Sequence, residues 1–196
     1  MKTPLRFLAL LLAVAVAGTG CSSNNQGDSA SPVYLTCDFN LRPAVKIVND
    51  GLPLQFQTVT LTSKLKIPTT TNPTAFLDTQ VDTYAVVWTR IDGGKTASQT
   101  QTFAPGIIVP AAGSSTLQNY VFMTAAALQQ PPLSYLFPYN GGIDPETGKT
   151  EIRQTGTVTF YGHTMSGQPV TSVPAAFDMI FQYSATPGRI QAVPAR

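Results

Sequence analysis

Hydrophobic and polar positions alternate along much of the chain beyond residue 32, and this spacing predicts short β-strands. Val33 to Asn40 is apolar at every second position, the period of a strand with one buried face. Val45 to Val48 is a shorter candidate strand. Val59 to Ile67 repeats the alternation, with Thr and Lys on its polar face. We expect those lysines to protect the edge of a sheet from pairing with another chain.

The second half of the chain contains further strand patterns. Asp82 to Ile91 is largely apolar on both faces, which predicts a central strand, whereas Ile107 to Val109 lies between two prolines and predicts an edge segment. Leu117 to Ala127 favours a strand running into a short helical turn, because aromatic and β-branched residues precede a run of alanines. Gly156 to His163 and Ala176 to Tyr183 predict a hairpin.

These seven to nine short strands, separated by strong turn signals, predict an all-β fold. The 15 glycines and 16 prolines are spread along the chain and argue against long helices. An antiparallel β-sandwich of immunoglobulin or fibronectin type fits best, and a barrel is the alternative. Trp88 on a mid-chain strand suits an immunoglobulin-like core, but the cysteine pair of antibody domains is absent, so this likeness is architectural only.

A short apolar stretch near residue 1 has the features of an export signal. Phe7 to Gly18 follows the positive Lys2 and Arg6, and a polar run without periodicity begins directly after Cys21. Twelve residues rise only about 18 Å as a helix, less than the ~30 Å hydrocarbon core of a bilayer. The stretch is therefore too short to favour a transmembrane span.

This segment resembles a bacterial lipoprotein signal, in which a cysteine becomes the lipid-modified first residue of the mature protein. Thr19, Gly20 and Cys21 match the family's lipobox, whereas Gly18 stands where the family usually has an aliphatic residue. The resemblance implies lipid attachment at Cys21 and a membrane partner reached through that lipid. Ser22 after the cysteine implies the outer membrane of a Gram-negative bacterium.

The chain then divides into four parts: a signal peptide over 1–20, a flexible tether over 21–32, the β-sandwich domain over 33–184 and a frayed tail over 185–196. The domain part loosely resembles single-domain β-sandwich lipoproteins of Gram-negative bacteria, a group often without an assigned function. A second cleavage site, after Ala17, stays open and would release a secreted or periplasmic protein. Cys37 would be a buried free thiol in the lipoprotein, whereas the released form allows a Cys21–Cys37 disulfide.

Charge argues against two classes of partner. The whole chain has a formal net charge of +2, and two of its twelve Lys and Arg residues, Lys2 and Arg6, belong to the signal. The mature chain therefore has ten basic against ten acidic residues. Nucleic acids and anionic lipids require clustered Lys and Arg, so neither is expected as a partner.

The sequence predicts no catalytic site, cofactor or metal centre. His163, the single histidine, is interpreted as a surface residue beside a turn, and with Met165 it supplies too few ligands for copper. A hydrolase centred on His163 is therefore the weakest functional hypothesis. Asp144 to Thr150 contains Gly-Lys-Thr but lacks the spacing of a phosphate-binding loop or of a calcium loop, and predicts a turn.

Three aromatic residues in the longest connection are the candidate binding residues. Tyr135, Phe137 and Tyr139 alternate, and in an extended loop they would share one face and could stack on sugar rings or seat a protein. The alternative is that they close one end of the core. The sequence thus predicts a non-enzymatic structural or interaction protein of the cell envelope that binds a protein or a glycan, with a carbohydrate-binding module as the alternative.

Overall fold

Ten β-strands make up most of the residues that the structure, a computed structural model, describes: 31–39, 44–67 and 74–185. The strands are β1 (Val33–Asp38), β2 (Ala44–Ile47), β3 (Leu54–Leu65), β4 (Thr79–Arg90), β5 (Gln101–Phe103), β6 (Ile107–Val109), β7 (Ser114–Met123), β8 (Glu151–Thr164), β9 (Pro169–Thr171) and β10 (Ala175–Gln182). One α-helical turn, α1 (Ala125–Leu128), and 3-10 turns at Ala75–Leu77, Leu133–Leu136 and Pro138–Asn140 complete the elements. The predicted signal, Cys21 and nearly all of the tether and tail lie outside the described residues.

The strands form two sheets, which confirms the all-β class. The smaller sheet has the order β1-β3-β7, and the larger has the order β2-β10-β8-β4-β5, with β6 also paired to β4 and β9 to β8. All strand pairs are antiparallel except β2 with β10. The larger sheet is therefore mixed, where the sequence predicted antiparallel strands throughout.

The apolar faces of the two sheets meet in a core rich in aromatic rings. Phe56 and Phe122 of the smaller sheet pack on Phe177 of the larger, with ring centroids 4.7 and 5.6 Å away. Tyr84 of β4 lies 5.9 Å from Phe122. Aromatic rings at these separations contribute more than their buried area alone. This cluster fastens the sheets together.

The structure corrects one expectation about sheet edges and bears out two. β3 lies between β1 and β7, so both of its sides are paired and Lys64, exposed on its polar face, does not protect an edge; Lys66 follows the end of the strand. β4 is central, between β8 and the short strands β5 and β6, as predicted. β6 pairs with β4 alone among the described strands, which agrees with an edge position.

The two ends of the fold, an entry end and a distal end, are formed by different elements. At the entry end, β1 and β4 begin and β3 and β8 end. There the N–H of Lys66 donates to the carbonyl of Pro32 at 2.9 Å, and the N–H of Met165 donates to the carbonyl of Asp78 at 2.8 Å. At the distal end, β4 and β10 end, β3 and β8 begin, and the connection 124–150 lies across the core.

None of the helices found within the described ranges is long and apolar enough to cross a bilayer.

Candidate functional site

The connection 124–150 closes the distal end of the core with a series of helical turns. The Thr124 hydroxyl accepts a hydrogen bond from the N–H of Ala127 and so caps α1. The Asn140 side-chain amide donates to the carbonyl of Ser134 at 2.9 Å, which ties two successive 3-10 turns together. The apolar side chains of this connection that are buried in the core are Leu128, Leu133, Leu136 and Phe137.

The three candidate aromatic residues have different environments. Phe137 is buried against Tyr183, with the rings 5.7 Å apart, and Tyr135 is half-buried. Tyr139 leaves 78 % of its surface exposed, while its ring lies 5.4 Å from that of Phe137. Because the segment forms 3-10 turns and is not extended, the three rings do not present one face to solvent. Tyr139 is the ring that a partner can reach.

A buried ion cluster connects this segment to the end of β4. Arg90 donates from Nε to Asp92 Oδ1 at 2.7 Å and from Nη2 to Asp144 Oδ2 at 2.6 Å. Its Nη1 donates to the carbonyl of Thr96 at 3.2 Å. The three charged side chains are almost completely shielded from solvent. A Cβ on Gly94 would lie 2.3 Å from the Arg90 guanidinium, so a larger residue here would have to displace the arginine from its two carboxylate partners.

The hydrogen bonds in the cluster keep both carboxylates ionised. Burial opposes ionisation of Asp92, but hydrogen bonds from Arg90 and from the N–H groups of Arg153 and Gly94 outweigh it and lower its pKa to about 2. Burial likewise opposes ionisation of Asp144, and hydrogen bonds from Thr147 and Arg90 lower its pKa. The cluster is thus a charged structural element at neutral pH.

Asp144 begins the turn that the sequence predicted over 144–150. The N–H of Gly148 donates to the Asp144 carbonyl at 2.8 Å, and Gly148 has a φ of 70°, which glycine adopts without strain. Glu146 accepts from the hydroxyl and N–H of Thr96 and from the N–H of Lys95, and these hydrogen bonds lower its pKa to about 2. The turn is therefore joined to the end of β4 through Asp144 and to the loop after β4 through Glu146.

Exposed apolar side chains lie beside this fastened structure. Ile91 and Ile143 are each about half exposed, and each precedes one aspartate of the ion cluster in sequence. We call Ile91, Ile143 and Tyr139 the distal patch: Asp92 and Asp144, which follow the two isoleucines, bind the same arginine, and Tyr139 lies four positions before Ile143 in sequence. Recognition residues are commonly carried on loops that a rigid scaffold positions, and the distal patch has that construction.

His163 lies far from the distal patch, near the end of β8. β4 has an irregularity between Val81 and Thr83, opposite Gly162, and Asp82 sits in it. The Asp82 Oδ2 lies 2.9 Å from His163 Nδ1, and both side chains are substantially exposed. The sequence interpretation of a surface histidine agrees with this exposure, but it missed the carboxylate partner. Within the described parts of the chain, this is the one hydrogen bond of the His163 side chain. No group of three or more side chains that could hold a metal ion occurs there.

Cys37 lies half-buried on β1 as a free thiol in the described residues. Burial, with a smaller contribution from the charge of Asp38, raises its pKa to about 12. A thiol with so high a pKa is almost entirely protonated at neutral pH and is a poor nucleophile or metal ligand.

No protein-family model matches this chain, and no curated protein matches its sequence.

Proposed function

We propose that this chain is a membrane-anchored, non-enzymatic interaction protein of the bacterial cell envelope, attached to the outer membrane through lipid on Cys21. The positive residues, short apolar run and cysteine at the start of the chain support the anchor. Cleavage after Ala17, giving a secreted or periplasmic form, is the alternative. In either form the β-domain presents its binding surface at the distal end.

We assign the domain to the immunoglobulin-like β-sandwiches within the all-β class. Two observations support this assignment: the core aromatics join two sheets, and Trp88 is buried in the core. The Trp88 ring lies 5.5 Å from Phe177 and 5.7 Å from Phe181, in edge-to-face contact with each. A tryptophan in the sheet interior is a feature of such domains. The parallel pairing of β2 with β10 is where this chain differs from a purely antiparallel sandwich.

The distal patch is the observation that carries the interaction role. Tyr139, Ile91 and Ile143 expose apolar surface, yet the two segments that carry them, the connection 124–150 and the end of β4, are joined by buried ion pairs. A rigid support lowers the entropy lost on binding, because the loop is already ordered. Exposed apolar groups with polar surroundings are typical of protein–protein contact sites. We therefore expect a protein of the envelope to bind there.

The test combines mass spectrometry with partner capture. Intact mass of the exported protein reports lipid on Cys21 or a start at Gly18. Crosslinking in cells, followed by purification from solubilised membranes, is then compared for wild type, the double variant Tyr139→Ala/Ile143→Ala, and Tyr161→Ala. Tyr161 is a matched control, since it is also an exposed tyrosine but lies on the outer face of β8.

We expect wild type and Tyr161→Ala to recover the same partner and the double variant to lose it. Truncating exposed side chains of this kind changes stability by only about 0.5 kcal/mol, so a loss reports binding rather than unfolding. Recovery of monomer alone from wild type, or an undiminished partner with the double variant, would contradict the proposed role.

A carbohydrate-binding module is the second candidate, and the exposed Tyr139 ring favours it. Sugar rings stack on an aromatic face, so Tyr139→Phe is expected to retain glycan binding while Tyr139→Ala abolishes it. A glycan array probed with the intact protein makes the comparison. Silence of wild type on the array would remove this candidate and leave the protein-binding role untouched.

A further inference from the structure

We infer that the entry end of the domain rests on the lipid bilayer and inserts Phe76, Met165 and Ile67 into its interfacial region. This inference rests on the proposed lipid attachment at Cys21, and it adds a second contact with the membrane. The occupant of this apolar surface is thus the bilayer, and the distal patch points away from it.

The path of the chain places the anchor at this end. The described chain starts at Ser31, and Pro32 is hydrogen-bonded to Lys66 where β3 ends. Ten residues lead from Cys21 to Ser31, and ten residues reach at most about 36 Å when fully extended. The fourteen residues of β8 span about 46 Å. The anchor therefore keeps the entry end, and not the distal end, close to the lipid.

The turns at the entry end expose large apolar side chains. Phe76 leaves 71 % of its surface exposed, Ile67 78 % and Met165 44 %. The N–H of Ser166 donates to the Phe76 carbonyl at 3.0 Å, so the turn that holds Phe76 lies against the turn that holds Met165. Exposed apolar groups of this size mark membrane or protein contact sites, and these lie on the side to which a lipid anchor would hold them.

The charges favour lipid at the entry end and exclude it at the distal end. Residues 74–77 and 165–168 include no charged side chain, and Lys66, which precedes Ile67, places its ammonium 5.1 Å from the centre of the Tyr34 ring. Asp78 beside them accepts a hydrogen bond from the N–H of Ala111 at 2.8 Å. The distal loops, in contrast, carry several charged groups, including the exposed Glu146 and Lys149. Charged groups are expensive to bring into a bilayer, whereas aromatic and aliphatic side chains enter its interface.

Tryptophan fluorescence in brominated phosphatidylcholine vesicles tests this contact. The acylated full-length protein is reconstituted as wild type, as Phe76→Trp and as Leu52→Trp. Leu52 is the matched control, because it is 63 % exposed on a turn at the distal end. Wild type supplies the signal of the buried Trp88 alone. Neutral lipid is chosen because the contact is apolar, so raising the salt should not reverse it.

We expect brominated lipid to remove the added emission of Phe76→Trp and to leave that of Leu52→Trp intact. Equal quenching of the two variants, or none in either, overturns the inference when mass spectrometry finds lipid on Cys21. If Cys21 has no lipid, the proposed anchoring fails, and the soluble protein is then mixed with the same vesicles. Quenching of the Phe76→Trp emission in that mixture supports the lipid contact independently of the anchor. No quenching in that mixture overturns the lipid contact. Phe76→Asp should weaken co-sedimentation of that soluble form about tenfold, the order expected for losing one buried phenylalanine.

Discussion

Arg90 Nη2 lies 2.6 Å from Asp144 Oδ2, and this buried contact joins residues 54 positions apart in sequence. It links the end of β4 to the connection that covers the core. Asp92 holds the same guanidinium from the next loop. Since removing one partner leaves another charge buried and unpaired, the distal end is stabilised as a unit rather than loop by loop.

Arg90→Met should strongly destabilise the domain. The methionine fills much of the space of the arginine stem but leaves Asp92 and Asp144 without their counter-charge, which costs about 3–5 kcal/mol. Urea unfolding followed by the fluorescence of Trp88 measures the loss of unfolding free energy.

Arg153→Ala is the control for that variant. Arg153 pairs with Glu151 at 2.7 Å, but its side chain is half exposed, so its loss should cost only about 0–1 kcal/mol. The backbone N–H of Arg153 still donates to Asp92 after this change. Equal destabilisation by the two variants would show that the buried cluster contributes nothing beyond a surface ion pair.

Acid should unfold the domain through the same cluster. Asp92 and Asp144 have lower pKa values in the folded state than in the unfolded chain, where an aspartate titrates near ~3.9. Their stabilisation is therefore complete above about pH 5 and is lost as the pH falls towards 2. Tm measured over this range should decline in wild type and decline less in Arg90→Met. Parallel curves for the two proteins would assign the acid sensitivity to other carboxylates.

Gly156→Ala should destabilise the core by overpacking. A Cβ at Gly156 would lie 2.6 Å from the tip of the Phe177 ring, and forcing extra volume into a packed core costs about 1–3 kcal/mol. Adding Phe177→Leu should recover part of that loss, so that the double variant is more stable than the sum of the two single changes predicts. Additive losses in chemical denaturation would place the strain elsewhere.

Cys37 should resist alkylation until the domain unfolds. Its pKa of about 12 leaves very little thiolate at pH 8, so iodoacetamide should label it slowly in native protein and rapidly in urea, as read by intact mass. Fast labelling of the folded protein would show that β1 exposes the thiol. If urea-treated protein labels only after reduction, Cys37 is in a disulfide with Cys21, and the released form, in which Cys21 carries no lipid, is the one present.

The alternation of apolar residues was sufficient to predict which side chains are buried, but not which strands are neighbours. Val59 and Leu61 are buried as the pattern of β3 predicts, yet β3 proved to be the central strand of its sheet, so Lys64 does not protect an edge. Strand order depends on contacts between distant segments, which a period of two does not encode. β5 and β9, with three residues each, are too short to show any period.

The candidate site was predicted only in part for a similar reason. The turn at Asp144 was readable from its Pro and Gly, and the segment's aromatics were correctly placed in the longest connection. The ion cluster was missed, although Arg90 continues the inward-facing series of Tyr84, Val86 and Trp88 at every second position. An arginine in such a series signals a buried partner, but the identity of that partner, Asp144, depends on the fold.

The parallel pairing of β2 with β10 has a consequence for how the chain matures. β2 lies early in the sequence, and its register partners run from Met179 to Gln182. β1 likewise receives a hydrogen bond from the N–H of Val173 at the carbonyl of Leu35. In the exported protein that we propose, β2 therefore has no strand partner until residue 182 has followed, whereas β1 can pair with β3 earlier and waits only for its contact with Val173. In that protein β2 joins the larger sheet only after nearly the whole chain has crossed, and long-range contacts of this kind make folding slow.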